Sequence, residues 1–132
     1  MLCRVADSLY WIFRYIERAE NLVRFLEVGW SVSLDNPSGN PSQWTSLIDA
    51  CADRGLFEKL HPTASPTDVI TFITRQPENP NAISNCIAIA RENARQIRDT
   101  LPTDLFEELN ALHLLLQVCR RRASDAAAGS ES

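Results

Sequence analysis

The stretch VADSLYWIFRYIERAENLVRFLEVGWSVSL, residues 5–34, decides the fold. It contains no Pro, and its only Gly is Gly29. Leu9, Phe13, Ile16, Val23 and Trp30 recur at helical spacing, which predicts a single helix from about Val5 to Leu34. On that reading Leu9, Phe13, Ile16, Glu20, Val23 and Glu27 share the inward stripe, and Trp11, Leu22 and Phe25 face away. A helix that is apolar nearly all round implies burial on several sides or in an oligomer. At roughly thirty residues it exceeds the usual globular length and needs neighbours along most of its surface. Asp35-Asn36-Pro37-Ser38-Gly39-Asn40 breaks it.

Working outward, four more helical segments follow and no strand alternation is found. The second begins near Pro41, carries Trp44, Leu47, Ile48 and Cys51, and ends at Asp53-Arg54-Gly55. A short helical turn from Phe57 to Leu60 is closed by His61-Pro62. The third opens with Ser65 as a cap before Pro66 and stops before Pro77. The fourth starts after Asn79-Pro80-Asn81 and reaches Thr100, with Ile83, Ile87, Ala90, Ala94, Ile97 and Leu101 on one stripe. The fifth starts after Pro102-Thr103 and runs through Leu105, Leu109, Leu112, Leu116 and Cys119. The expected fold is all-α: a bundle of about five helices, with the long N-terminal helix packed against the fourth and fifth. Residues 1–122 form one helical domain, and the small, polar residues 123–132 form a disordered tail.

The chain has 132 residues, the size of one ordinary domain. A net charge of −4 argues against a dedicated nucleic-acid binder, which usually presents a basic face. Its positive charge comes from twelve Arg and a single Lys, Lys59. Arg pairs bidentately with carboxylates and phosphates and tolerates partial burial, although coding bias accounts for the ratio equally well. Cys3, Cys51, Cys86 and Cys119 are spaced by 48, 35 and 33 residues, with no C-x-x-C unit and no secretory signal. This favours reduced, mostly buried thiols in a cytoplasmic protein. The apolar runs are too short to span a bilayer.

The candidate site is a cluster of Arg, Glu and Asn on two helices: Arg14, Glu17, Arg18, Glu20, Asn21 and Arg24 on the first, Arg91, Glu92, Asn93 and Arg95 on the fourth. Glu20 falls on its helix's apolar stripe and so needs donors, because an unpaired buried charge costs several kcal/mol; Arg24 stands one turn away. Glu92 falls opposite the Ile83/Ile87/Ala90/Ala94 stripe, with Arg91 and Asn93 at its edges. If the two helices pack together, the charges can interleave into one network. The plainer reading is local pairs on solvated faces, favoured for Glu92 and Arg95 and weaker for Glu20.

Other chemistry finds little support. There is no Gly-rich phosphate loop, G-x-S-x-G or His-Glu-x-x-His, the one Glu-x-x-His (Glu58-Lys59-Leu60-His61) is not repeated on a second helix, and His61 and His113 stand alone as histidines. The sequence therefore nominates no catalytic residue, metal ligand or cofactor site. Arg120-Arg121-Arg122 is read as complementing the dipole at a helix C-terminus rather than as a phosphate site.

Three blocks of sequence resemble one bacterial family. They are Arg4-Val5-Ala6-Asp7-Ser8-Leu9-Tyr10-Trp11 with Arg14-Tyr15 and Glu17-Arg18-Ala19-Glu20-Asn21; Asn79-Pro80-Asn81; and Ala90-Arg91-Glu92-Asn93-Ala94-Arg95 with Arg98-Asp99. Together they resemble the Alpha-E domain, named for a recurring Glu-Arg motif, over residues 1 to about 115. Cys3 and Phe13 depart from the Ser and small residue that the resemblance implies. It further implies that the chain corresponds to the N-terminal part of a longer domain, leaving apolar surface open for self-association. Alpha-E proteins tend to be encoded beside, or fused to, circularly permuted ATP-grasp and transglutaminase-like proteins. The resemblance thus implies an accessory role in a peptide-forming or peptide-modifying system.

Two functions are weighed. The leading one is a non-catalytic helical module that binds a partner, either a second copy or an ATP-grasp-type ligase. The alternative is an enzyme or small-molecule binder whose Arg/Glu/Asn cluster holds a carboxylate-bearing peptide.

Overall fold

A computed structural model describes residues 2–35, 42–51, 53–62 and 65–129. Among them the chain is all helical, in six segments: α1 (Leu2–Asp35), α2 (Ser42–Cys51), α3 (Arg54–Leu60), α4 (Pro66–Thr74), α5 (Ile83–Gln96) and α6 (Thr103–Gly129). The predicted fourth and fifth helices are α5 and α6. The chain divides into two compact units, residues 1–16 with 86–132, and residues 17–85.

In the first unit the start of α1 packs against α5 and α6. Ile12, Ala90, Ala94, Ile97 and Leu109 are buried together, with Val5, Leu9, Tyr15, Ile16, Leu101, Leu105 and Phe106 partly buried around them. Ala90 and Ala94 are fully enclosed, and their small side chains let neighbouring backbones come close. The predicted α5 stripe is thus the buried one. After Gln96 the backbone tightens into i→i−3 bonds, Ile97 N to Ala94 O (3.2 Å) and Thr100 N to Ile97 O (2.9 Å), so α5 ends short of the predicted Thr100.

In the second unit α2 packs on α3 and α4. Phe57 of α3 and Phe72 of α4 meet edge to face, with ring centroids 5.2 Å apart, and Trp44, Ile48, Val69 and Ile73 are buried with little or no exposure. The Ser65 hydroxyl accepts from Asp68 N at 3.1 Å, with Pro66 next, so the predicted cap is present. Asp53 does not close α2 as predicted. It caps α3, its carboxylate accepting from Leu56 N at 3.2 Å, because an Asp one residue before a helical turn satisfies the orphan amides there.

The register of α1 also differs from expectation. The inward residues are Ser8, Ile12, Tyr15, Ala19, Leu22, Leu26, Gly29 and Ser33, one position before the predicted stripe throughout. That is a rotation of about 100°. Phe13, Val23 and Trp30 are exposed as a result, Leu22 is buried, and Glu20 points to solvent. Burying Glu20 and Glu27 would cost more than leaving a few apolar side chains wet: several kcal/mol per ion against about 1.5–3 kcal/mol for a large side chain. Small residues on the true stripe also allow close approach. A Cβ added at Gly29 would stand 3.4 Å from Leu47 and 3.6 Å from Trp44, both on α2.

Three further expectations are corrected. The tail predicted from Ala123 is helical to Gly129, since no breaker precedes that glycine and Ala126-Ala127-Ala128 favours helix. Arg120-Arg121-Arg122 consequently lies within α6 rather than at its end. Thiol burial holds for Cys86 alone among the cysteines whose side chains are described; Cys3 and Cys119 are exposed, on helix faces that nothing covers among those residues, and the Cys51 side chain lies outside them. The helix break at residues 36–40 also lies outside the described residues.

Candidate functional site

Between α4 and α5 the chain turns twice. Asn79 N donates to Gln76 O (3.1 Å) and Ala82 N to Asn79 O (3.0 Å). Asn79 itself is buried and both ends of its amide are used: Nδ2 donates to Phe72 O at 2.9 Å, and Oδ1 accepts from Asn81 N at 3.1 Å. Pro80 holds Asn79 out of the helical region, so the amide is presented to the loop rather than lost into a helix. From the first turns of α5, Asn85 Nδ2 reaches back to Asn79 O at 2.7 Å. Arg18 of α1 completes the group, its Nη1 donating to Asn81 Oδ1 at 3.1 Å. The Asn-Pro-Asn segment is therefore a knot of side-chain amides tied to α1 by one guanidinium.

A second polar junction joins α5 to α6. Arg91 Nε donates to Asn110 Oδ1 at 2.8 Å. His113, one turn further along α6, is held below its ordinary value by partial burial first and by the positive charge of Arg91 second. Its Nε2 lies 3.1 Å from the Gln117 amide nitrogen. Asn93 turns back to its own helix, donating to Ile89 O at 2.9 Å. Near the other end of the pair, Arg98 lies 4.6 Å from the centroid of the Phe106 ring, within cation–π range.

The remaining predicted residues lie on the surface. Arg14, Glu17 and Asn21 are exposed. Glu20 pairs with Arg24 one turn on, their side chains 57% and 66% exposed, and Glu92 pairs with Arg95 at 3.4 Å. The buried position predicted for Glu20 is thus corrected by the rotation of α1, whereas the solvated position of Glu92 is as expected. Arg18 and Arg91 each reach an asparagine, in different units, and the two glutamates pair locally.

Several polar residues were not nominated from sequence. Asn79 and Asn81 carry a readable signal in the Asn-Pro-Asn segment, and Asn85 follows it on α5. Asn110 carries none, because its partner lies nineteen residues away on another helix. His61 is not isolated. Its Nε2 is 3.1 Å from Gln76 Oε1, its Nδ1 is 3.5 Å from Asp68, and its ring lies against Phe57 and Phe72. It thereby ties the end of α3 to α4.

No described helix is long and apolar enough to cross a membrane, and no described group of three or more His, Cys, Asp or Glu side chains is arranged to hold a metal ion. Two of the surface grooves are apolar. One open groove of about 400 Å3 is lined by Ile16, Ile87, Leu105, Leu109, Leu112 and Leu115, all in the first unit. Another of about 260 Å3 runs between Phe25, Val28 and Val32 of α1 and Leu47 and Ala50 of α2, in the second.

A family model matches residues 1–130: Alpha-E, described as a predicted alpha-helical domain with a conserved ER motif. The match extends past the residue 115 or so to which the resemblance had been traced. The only Glu-Arg dipeptide of this chain is Glu17-Arg18, whose arginine secures the Asn-Pro-Asn knot. No curated protein and no solved structure matches the chain.

Proposed function

The chain belongs to the Alpha-E family, and from that premise we propose that it is a non-catalytic, cytoplasmic, bacterial accessory module that binds an ATP-grasp-type ligase of a peptide-modifying system. The observation that carries this reading is the groove between α1 and α2. Phe25, Val28 and Val32 stand at i, i+3 and i+7, all exposed, Val28 by 62%. Such a row is the pattern by which a helical groove takes an apolar ridge or helix from another protein. Gln43 Nε2, at the same groove, is buried with no hydrogen-bond partner among the described residues.

Support for the partner reading over a ligand-binding cluster comes from how the polar side chains are spent. Arg18 and Arg91 are engaged by asparagines, and Glu20 and Glu92 by arginines on their own helices. The test is binding between the chain and an ATP-grasp-type ligase, measured by calorimetry. Val28→Glu with Val32→Glu is expected to weaken binding at least about tenfold while helix content is unchanged, both side chains being solvent-exposed. Binding that survives the double substitution, or no binding by the unmodified chain, overturns the reading.

A further inference from the structure

On α6 the residues Asp104, Glu108, Leu112, Leu115, Cys119 and Arg122 follow one another at three- or four-residue steps and therefore share one side of the helix. All six are exposed. The stripe is acidic at one end, apolar in the middle and basic at the other. Leu112 and Leu115, the latter 59% exposed, also form one wall of the 400 Å3 groove against Ile16 and Ile87. The helix dipole accounts for Asp104 in the first turn of α6, but not for Arg122, which stands about two turns before Gly129.

We propose that this face is a self-pairing surface, in which α6 of a second copy lies antiparallel along the groove. A two-fold contact requires a patch complementary to itself. An acid–apolar–base stripe meets that requirement in the antiparallel sense only, since a parallel pair sets acid beside acid and base beside base. The register follows from the spacing. With Leu112 of one copy opposite Leu115 of the second copy, Arg122 lies seven residues beyond Leu115 and Leu105 seven before Leu112. Arg122 of the second copy therefore arrives beside Leu105, between Asp104 and Glu108, and the same pairing repeats across the axis. The apolar centre excludes water and the charged ends fix the direction. This surface is separate from the α1/α2 groove and needs no ligase.

The experiment is the mass of the full chain in solution, followed by light scattering up to about 100 μM, where even weak pairs are populated. The unmodified chain is expected at twice the single-chain mass. Leu115→Glu is expected at the single-chain mass with an unchanged circular dichroism spectrum. Glu108→Arg and Arg122→Glu are each expected to weaken the pair about tenfold or more, and their equimolar mixture to recover the doubled mass, because each then supplies the charge the other lacks. A single-chain mass for the unmodified protein at about 100 μM overturns the proposal. So does a dimer that survives Leu115→Glu, or a mixture that pairs no better than its components. Val28→Glu with Val32→Glu is expected to dimerise like the unmodified chain, so failure of the ligase reading and failure of this one are read separately.

Discussion

Arg18 and Arg91 stand in nearly the same local sequence, Arg-Ala-Glu-Asn in one case and Arg-Glu-Asn in the other, and both donate to the side-chain oxygen of an asparagine. The asparagines differ. Asn81 belongs to a loop whose backbone bonds run through Asn79 and Asn85, so the bond from Arg18 is one of several that hold an irregular segment in place. Asn110 belongs to a regular helix, and the bond from Arg91 spans two elements whose backbones are already satisfied internally. One guanidinium supports a structure that has no ladder of its own. The other aligns two that have. Similar motifs therefore carry different consequences, set by what lies at the far end of the bond.

The comparison is broken most severely at Asn79. Asn79→Ala removes the donor to the buried Phe72 O and the acceptor of Asn81 N together, a loss of about 2–3 kcal/mol. Urea denaturation is expected to show it as a lowered midpoint with an unchanged slope. Arg18→Met and Arg91→Met are each expected to cost about 1 kcal/mol, the usual net value of a partly buried hydrogen bond. The two part company in hydrogen exchange. Arg18→Met should speed exchange at residues 76–82, whereas Arg91→Met should leave the amides of α5 and α6 near their original rates.

A smaller effect separates the junctions by pH. His113 sits below its ordinary value of 6.5, so around that pH the unfolded chain binds a proton that the folded chain refuses. Stability from this source is complete above 6.5 and declines as pH falls through that value toward the folded one. His113→Gln is expected to flatten that part of the stability curve, measured as denaturation midpoint against pH. Arg91→Met should flatten it in part, and Arg18→Met should leave it unaltered. The smallest effects belong to the exposed pairs. Glu20→Gln and Glu92→Gln should each shift stability by no more than about 0.5 kcal/mol, less in high salt; a loss of several kcal/mol at Glu20 would restore the buried reading of that residue.

How far the sequence could be read depended on where its charges lay. The α5 stripe was legible because Ile83, Ile87, Ala90, Ala94 and Ile97 lie together and Glu92 lies opposite. On α1 two stripes one residue apart both look apolar. The larger side chains, Phe13, Val23 and Trp30, drew the choice to the wrong one, although Glu20 and Glu27 lay on it. Weighing the cost of those two carboxylates against the smallness of Ala19 and Gly29 would have selected the other. The Ser65 cap is local chemistry and was readable. Asp53 was ambiguous between an end and a beginning until Leu56 N showed which helix it served. The pairing of Arg91 with Asn110 depends on how α5 and α6 are set side by side, which no short-range pattern encodes.

The burial of Cys86 gives the first unit a chemical stopwatch. Its thiol is shut away at 0% exposure, while Cys3 and Cys119 lie open. An alkylating reagent added to the folded chain is expected to label the two open thiols at once and to reach Cys86 only during transient excursions in which the α5 face comes free. The labelling rate of the Cys86 peptide, read by mass, therefore counts those excursions under native conditions.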